Sequence, residues 1–599
     1  AKLWNITRRT ALRDHLTRVD PATGAQRFAA AAEIFDYNLA QWRDTHVAAC
    51  RATRVDGKQS DSLLDARMGC LRDWLVQIGG IATDLENAAD PKQVESTIKS
   101  VSTIAPLSRC SDSNAMLARS QFPVAPEARA ESDAIQREGM AINKARKGGN
   151  VEALVERTNR LVERARKLGN PATLTKAIGM RWRIAVMVGD VDGAIELLRE
   201  VTEIAARAHD DTEAANAWSV MARLTAQYKG QPDEAKVMVS AARAAAARAG
   251  DPPELLADVL IVEGDVLNMA RDDEGALRAA ETARSLLVEI GAGRPGSSLG
   301  PKLADVSQTI STIHWFADRL DRSIPLLQEA KAIWDRAYGP DTVESSGALL
   351  DLAQILSQRG EYEAALIAAR DGVRIREERT GRSQVLALGL LIQAEVEHAA
   401  DRVDDAIATA ERALAIARDT MSPDAVQTEE IRIAGIYGTA GRYREALAIY
   451  QRALAAFDKS GMKTINVPMW WVELGMIERE LGQCKDAIVH FRKAAAIARE
   501  LEGDESAYAG RAIRAEGECH YVLGRTRDAI ATLERGLSFR IPPQGVVEAA
   551  VSRGILGMLR GDAALVREAL ATIAPQRSSR RYAKDRRLAA LDAWIARRK

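Results

Sequence analysis

A small residue returns at a nearly constant interval along most of this chain. It stands at Ala153, Ala194, Ala235, Ala276, Ser323, Ala365, Ala406, Ala446, Ala487 and Ala529, with steps of 41, 41, 41, 47, 42, 41, 40, 41 and 42. A period of this length is that of one helical hairpin repeated. Such a hairpin buries its apolar face only against its neighbours, so the chain must stack into a quasi-one-dimensional array. Composition agrees: 18 Pro in 599 residues, 5% aromatic, 47% apolar and 28% charged describe a long helical protein rather than a sheet-rich one. Lys plus Arg and Asp plus Glu number 83 each, so no global field recruits nucleic acid or an anionic membrane. No run of 18 uncharged residues is present, which argues against a membrane span within the sequence. The chain opens on Ala1 rather than Met, and the expectation is a processed or excised piece of a longer protein.

The residues around the marks are specific. The stretch AGIYGTAGRYREALAIYQRAL sets a small residue at Ala434, then Tyr437, Gly441, Tyr443, Ala446, Tyr450 and Ala453. The next unit keeps Trp471, Leu474, Gly475, Gly482, Ala487, Phe491 and Ala494, and another keeps Ala353, Gly360, Tyr362 and Ala365. These spacings resemble the tetratricopeptide repeat, and the period is similar to the longer kinesin-light-chain type. The resemblance implies an all-α fold: a helical amino-terminal block followed by a right-handed superhelix of about ten helix pairs. The expected domains are a four-helix block with linker over 1–125, the array over 126–575 and a basic capping helix over 576–599. The outlying step of 47 contains GAGRPGSSLGP, whose Gly291, Gly293 and Gly296 spell GxGxxG. A nucleotide loop needs a strand before it and a helix start after it. A helix precedes this one and Pro295 interrupts it, so it reads as a helix C-cap and inter-repeat loop.

Residues 1–125 fall outside the period and read as helices 2–18, 21–52, 60–88 and 91–104, punctuated by Asp20-Pro21, Asp56-Gly57, a Ser60 cap and Asp90-Pro91. The string HVAACRATRVDGKQSDSLLDARMGCLRDWL, His46 to Leu75, resembles a block of myxobacterial-type receptor serine/threonine protein kinases. So do Leu3-Trp4, Val94 and Leu107-Ser108-Arg109-Cys110. In that family a cytoplasmic kinase domain, one membrane helix, this helical block and the repeats follow in order. The resemblance implies a non-catalytic, extracytoplasmic (periplasmic) sensor region, joined to the membrane only through an upstream segment, with dimerisation open. The alternative reading is a cytoplasmic scaffold or chaperone-like adaptor. Helices 60–88 and 91–104 folded back at residues 89–90 bring Cys70 and Cys110 to a similar height, so a Cys70–Cys110 disulfide is expected. Cys484 and Cys519 read as buried thiols.

No kinase glycine loop, catalytic loop or metal loop is present, nor a GxSxG elbow. The seven histidines lack HxxxH or HExxH spacing and no Cys-x-x-Cys exists, so neither catalysis, a cofactor nor a metal is expected. Between Arg577 and Lys599 nine Lys or Arg face Asp585 and Asp592. Leu588, Leu591 and Trp594 there are expected to cover the last repeat. The working surface is expected on the concave side, lined by the first helix of each pair. Counted from the small residue of the first helix, Ala353, Ala394, Ala434, Gly475 and Gly517, residues three before and one or four after should point inward. That count selects Gln354, Glu395, His398, Met476, Arg479, Arg514, Glu518 and Tyr521, with Leu350, Ile431, Gly438 and Val472 among the apolar members. A protein or peptide segment is the expected partner, and Glu395 and Glu518 disfavour an acidic carboxyl-terminal peptide.

Overall fold

The computed structural model describes residues 3–104, 107–113, 116, 126–146, 151–317, 319–460, 466–542, 545–577 and 585–598. Among them every regular element is a helix, and the chain forms two compact units, 1–348 and 349–599.

Unit one begins with the amino-terminal block. Its helices are Ile6–Val19, Gly24–Arg54, Asp61–Glu86 and Pro91–Lys99, a 3-10 turn Ser100–Thr103 and a short helix Ser108–Ser111. Local chemistry sets their starts. The side chains of Asn5, Ser60 and Asp90 accept hydrogen bonds from Arg8, Leu63 and Gln93 amides, and Pro91 opens its helix, as N-caps and first-turn prolines do. A disulfide joins Cys70 to Cys110, with Cα atoms 5.6 Å apart. Arg67 adds a hydrogen bond to the Cys110 carbonyl at 3.1 Å, so the segment around residue 110 is tied to helix Asp61–Glu86 twice.

The repeats follow as helix pairs, eleven among the described residues, from Pro126–Arg146 with Glu152–Leu168 to Val546–Arg560 with Ala563–Ile573. The last pair extends the ten expected. Small residues explain the close packing: apart from Ala153, every periodic mark, Ser323 included, is 0% exposed. Gly475 shows why size matters there, because a Cβ at this position would lie 2.6 Å from Phe491 Cε1. Ala153 is the exception. It is exposed, and its neighbour Leu154 is buried in the cluster with Ile178, Ala194 and Leu198. The first mark is therefore displaced by one residue.

The amino-terminal block docks along the edge where each second helix turns into the next first helix. Arg109 pairs with Glu213 at 3.0 Å, Ser108 donates to Glu254 at 3.1 Å and Asn38 donates to the Gly296 carbonyl at 3.1 Å. Lys99 pairs with Glu344 at 2.5 Å. The 47-residue step finds its reason here. Gly296 has φ +76°, and a Cβ on it would fall 2.2 Å from the Glu33 carbonyl oxygen. The inserted loop is thus the seat of helix Gly24–Arg54, and its glycine lets backbone meet backbone. At the centre of the block Arg27 is fully buried between Asp20, 3.2 Å, and Glu95, 3.1 Å. Burial works against the Glu95 carboxylate, and Lys99 with Arg27 outweighs it, holding the group below its usual range.

Candidate functional site: the first-helix face of the second unit

In residues 349–599 the first helices of successive pairs touch one another, whereas the second helices of successive pairs make no comparable contact. Layers that approach on one side and diverge on the other curve toward the side of approach. The first-helix face is therefore the inner one. It carries polar links between most successive first helices.

Gln354 Nε2 on Val343–Gln358 donates to Glu395 on Gln384–Ala399 at 3.4 Å. Glu395 in turn accepts from Arg432 Nε on Pro423–Thr439 at 2.8 Å, and Arg432 also binds Glu429 at 2.8 Å. His398 shares a 2.5 Å hydrogen bond with Thr439. At the following junction the link is apolar, Gly438 facing Ile477. Arg511 on Ala507–Val522 then bridges Glu473 on Asn466–Glu480, 2.9 Å, and Glu548 on Val546–Arg560, 3.0 Å, with Met476 Sδ at 3.6 Å. Burial opposes the charges of Arg432 and Arg511, and their flanking carboxylates win, raising both above the ordinary guanidinium value. At the far end Arg479 donates to Glu518 at 2.5 Å.

Of the residues selected by spacing, Gln354, Glu395, His398, Met476, Arg479 and Glu518 belong to this row. Arg514 does not. Its Nη1 reaches back to the Gly536 carbonyl on the paired second helix, 3.1 Å away, and burial lowers its pKa. Leu350, Ile431 and Val472 occupy the same position as Arg514, three before the small residue, and are likewise buried. With about 100° per residue, that position lies about 60° from the small residue's bearing and falls into the helix crossing. Tyr521 packs on the apolar cluster of the last pair. The spacing rule passed over Arg432, Glu473, Arg511 and Glu548. Arg432 and Glu473 both stand two before the small residue, a position the rule omitted.

The carboxyl-terminal helix Arg586–Ala596 buries Leu588 and Leu591 in the cluster of Leu533, Ala550, Val551 and Ile555, with Trp594 alongside. Of the nine terminal basic residues, Arg580, Arg581, Lys584 and Lys599 lie outside the described residues. Cys484 and Cys519 are buried free thiols. Burial, then a hydrogen bond with Cys484, pushes the Cys519 thiol up. Among the described residues no three His, Cys, Asp or Glu converge to hold a metal ion, and no helix is long and apolar enough to cross a membrane.

In unit one, a cleft of about 960 Å³ separates helix Asp61–Glu86 of the block from helices Pro171–Met187 and Asp211–Lys229. Asp65, Asp73, Lys176, Trp182 and Asn216 are among its walls.

The tetratricopeptide repeat family matches residues 304–378, 386–459 and 466–541. This stretch is a tetratricopeptide-repeat region. The chain is 23% identical over 310 residues to Protein KINESIN LIGHT CHAIN-RELATED 1 of Arabidopsis thaliana, a match covering half of each sequence. The chain therefore spans half the length of that curated relative. Among solved structures it is similar to the apo form of RapI, at 16% identity and a TM-score of 0.43, covering 61% of this chain and 97% of that one. It is also similar to BtubC (BKLC) from P. vanneervenii, at 17% identity and a TM-score of 0.33, covering 39% and 92%.

Proposed function

We propose that this chain is a non-catalytic interaction region that holds a protein or peptide segment on the inner face of residues 349–599. A tetratricopeptide array is suited to protein–protein interaction, and stacked repeats offer an extended concave surface for it. The observation that carries the reading is the row of polar side chains along the first helices. Half-buried Gln354, Glu395, Glu473 and Met476 offer acceptors, a donor and an apolar grip side by side. Exposed backbone groups of an extended or helical segment can be satisfied there.

The finer assignment is a sensor region of a receptor-type serine/threonine protein kinase, placed on the extracytoplasmic side. The 46–75 block and its neighbours support it. The coding sequence upstream of Ala1 tests it: a kinase domain followed by about 20 apolar residues is expected, and a start codon at this point would favour the cytoplasmic adaptor instead. The inner face is tested by binding. Partners captured on the wild-type chain are measured again on Glu395→Lys and Glu473→Lys variants, with Gln at the same positions and circular dichroism as controls for folding. A loss of about tenfold or more, the effect of misplacing a charge at an interface, is expected for Lys. Equal binding would remove this face from the function.

A further inference from the structure

The buried carboxylate of Glu518 has more partners than a link between two repeats needs. Its Oε2 accepts from Arg479 at 2.5 Å and from Arg587 Nη1 at 2.6 Å, and its Oε1 accepts from Ser552 at 2.7 Å. Its side chain is 3% exposed. Arg587 comes from the carboxyl-terminal helix, 69 residues away, so that helix does more than close the end of the last pair. It reaches one repeat back and places a guanidinium on the inner face, beside Arg479. Asp585 flanks the same guanidinium at 2.5 Å. Next to this polar seat lies an apolar one. A Cβ at Gly554 would stand 2.7 Å from Leu591 Cδ1, so the glycine leaves a depression that the leucine fills, while Leu588 enters the same cluster. The seat therefore reads an arginine, a leucine one residue on and a leucine four residues on, which a helix presents within an arc of about 100°.

We infer that Glu518, Ser552 and Gly554 form a receptor for an Arg-Leu-x-x-Leu helical segment, and that the chain's own residues 587–591 are its resident occupant. The inference rests on the inner-face reading and narrows it. The partner brings a basic amphipathic helix whose arginine takes the place of Arg587, and the carboxyl-terminal helix competes with it. Charge complementarity argues for an arginine over a lysine, since Glu518 offers a planar acceptor already aligned by Ser552. An acidic segment would meet Glu518 with like charge.

The test uses a fluorescein-labelled peptide of residues 585–599 and fluorescence anisotropy on full-length chains. In an Arg587→Ala, Leu588→Ala, Leu591→Ala chain the resident helix has lost its anchors. This chain is expected to bind the peptide at least about tenfold more tightly than wild type, as release of an intramolecular competitor requires. Adding Glu518→Gln should remove that gain, and a peptide carrying Glu in place of the first arginine pair should not bind. Equal binding by wild type and the triple variant, or a gain that survives Glu518→Gln, overturns the inference. Should the triple variant not fold, Arg587→Ala alone decides by hydrogen exchange. Amides of 586–596 are expected to exchange at least about tenfold faster while those of 507–522 keep their protection, and unchanged exchange overturns the inference. Failure here with partner binding still lost in Glu395→Lys leaves the inner-face reading standing. Partner binding that survives Glu395→Lys removes that reading itself.

Discussion

The amino-terminal block and the repeats of the second unit hold together in opposite ways. The repeats meet through small residues: Ala406, Ala446 and Ala487 are all 0% exposed, and the helices approach closely at these crossings. The block is centred on a buried charge cluster, Arg27 with Asp20 and Glu95, and docks on the repeats through charges and amides: Arg109 with Glu213, Lys99 with Glu344, Asn38 with Gly296. Apolar crossings tolerate no added volume but have no directional demand. Buried polar contacts add less net stability, yet they fail sharply when one partner is lost. The block is thus positioned by specificity and the repeats by packing.

The sharpest way to break this contrast is Arg27→Ala. Asp20 and Glu95 would be left buried without their cation, and the block should lose about 3–5 kcal/mol, read as a separate early transition in urea unfolding. The same network sets a pH dependence. Because Glu95 is held below its ordinary value, its contribution is complete above the unfolded carboxyl pKa of about 4.3. It is lost as the pH falls through the depressed folded value. The block's stability should therefore fall in acid and be flat between about pH 6 and 8, and a loss on going alkaline in that window would contradict the assignment.

Removing the covalent tie comes next. Cys70→Ser with Cys110→Ser frees a loop of 40 residues and should cost about 2–4 kcal/mol. Reductant should lower the melting temperature of wild type and leave the double variant unchanged. On the repeat side, Ala446→Leu or Gly475→Ala forces volume into a closed crossing and should cost about 1–3 kcal/mol by denaturant titration. The smallest effect is expected at Arg382 and Asp419, an ion pair of two largely exposed side chains. Arg382→Ala should change stability by less than about 1 kcal/mol, and a larger loss would mean that surface pairs rather than small residues hold the array.

The same contrast explains what could be read from the chain alone. Helix pairing was legible because small residues recur locally and each mark reports on its own crossing. The mark at Ala153 misled because one periodic alanine cannot be told from its neighbour Leu154 without the packing partner. The block's seat was visible only as an anomaly, the 47-residue step. What fills it depends on Asn38 and Gly296, 258 residues apart, and such pairs leave no period. On the inner face, counting from the small residue found Glu395, Arg479 and Glu518. It also swept in Arg514, whose length and charge concealed a crossing position shared with Val472. Arg587 was legible as a cap residue, but its reach to Glu518 was not, since nothing local records a contact across 69 residues.

The inner-face assignment is tested most directly by photo-cross-linking. A benzophenone side chain is placed in turn at Met476 on the first-helix face, at Val489 on the exposed side of a second helix, and at Asp73 in the cleft beneath the block. A partner captured by the full chain is expected to cross-link from Met476 and not from Val489 or Asp73. Cross-links from Val489 or Asp73, with none from Met476, would contradict it and move the binding surface elsewhere.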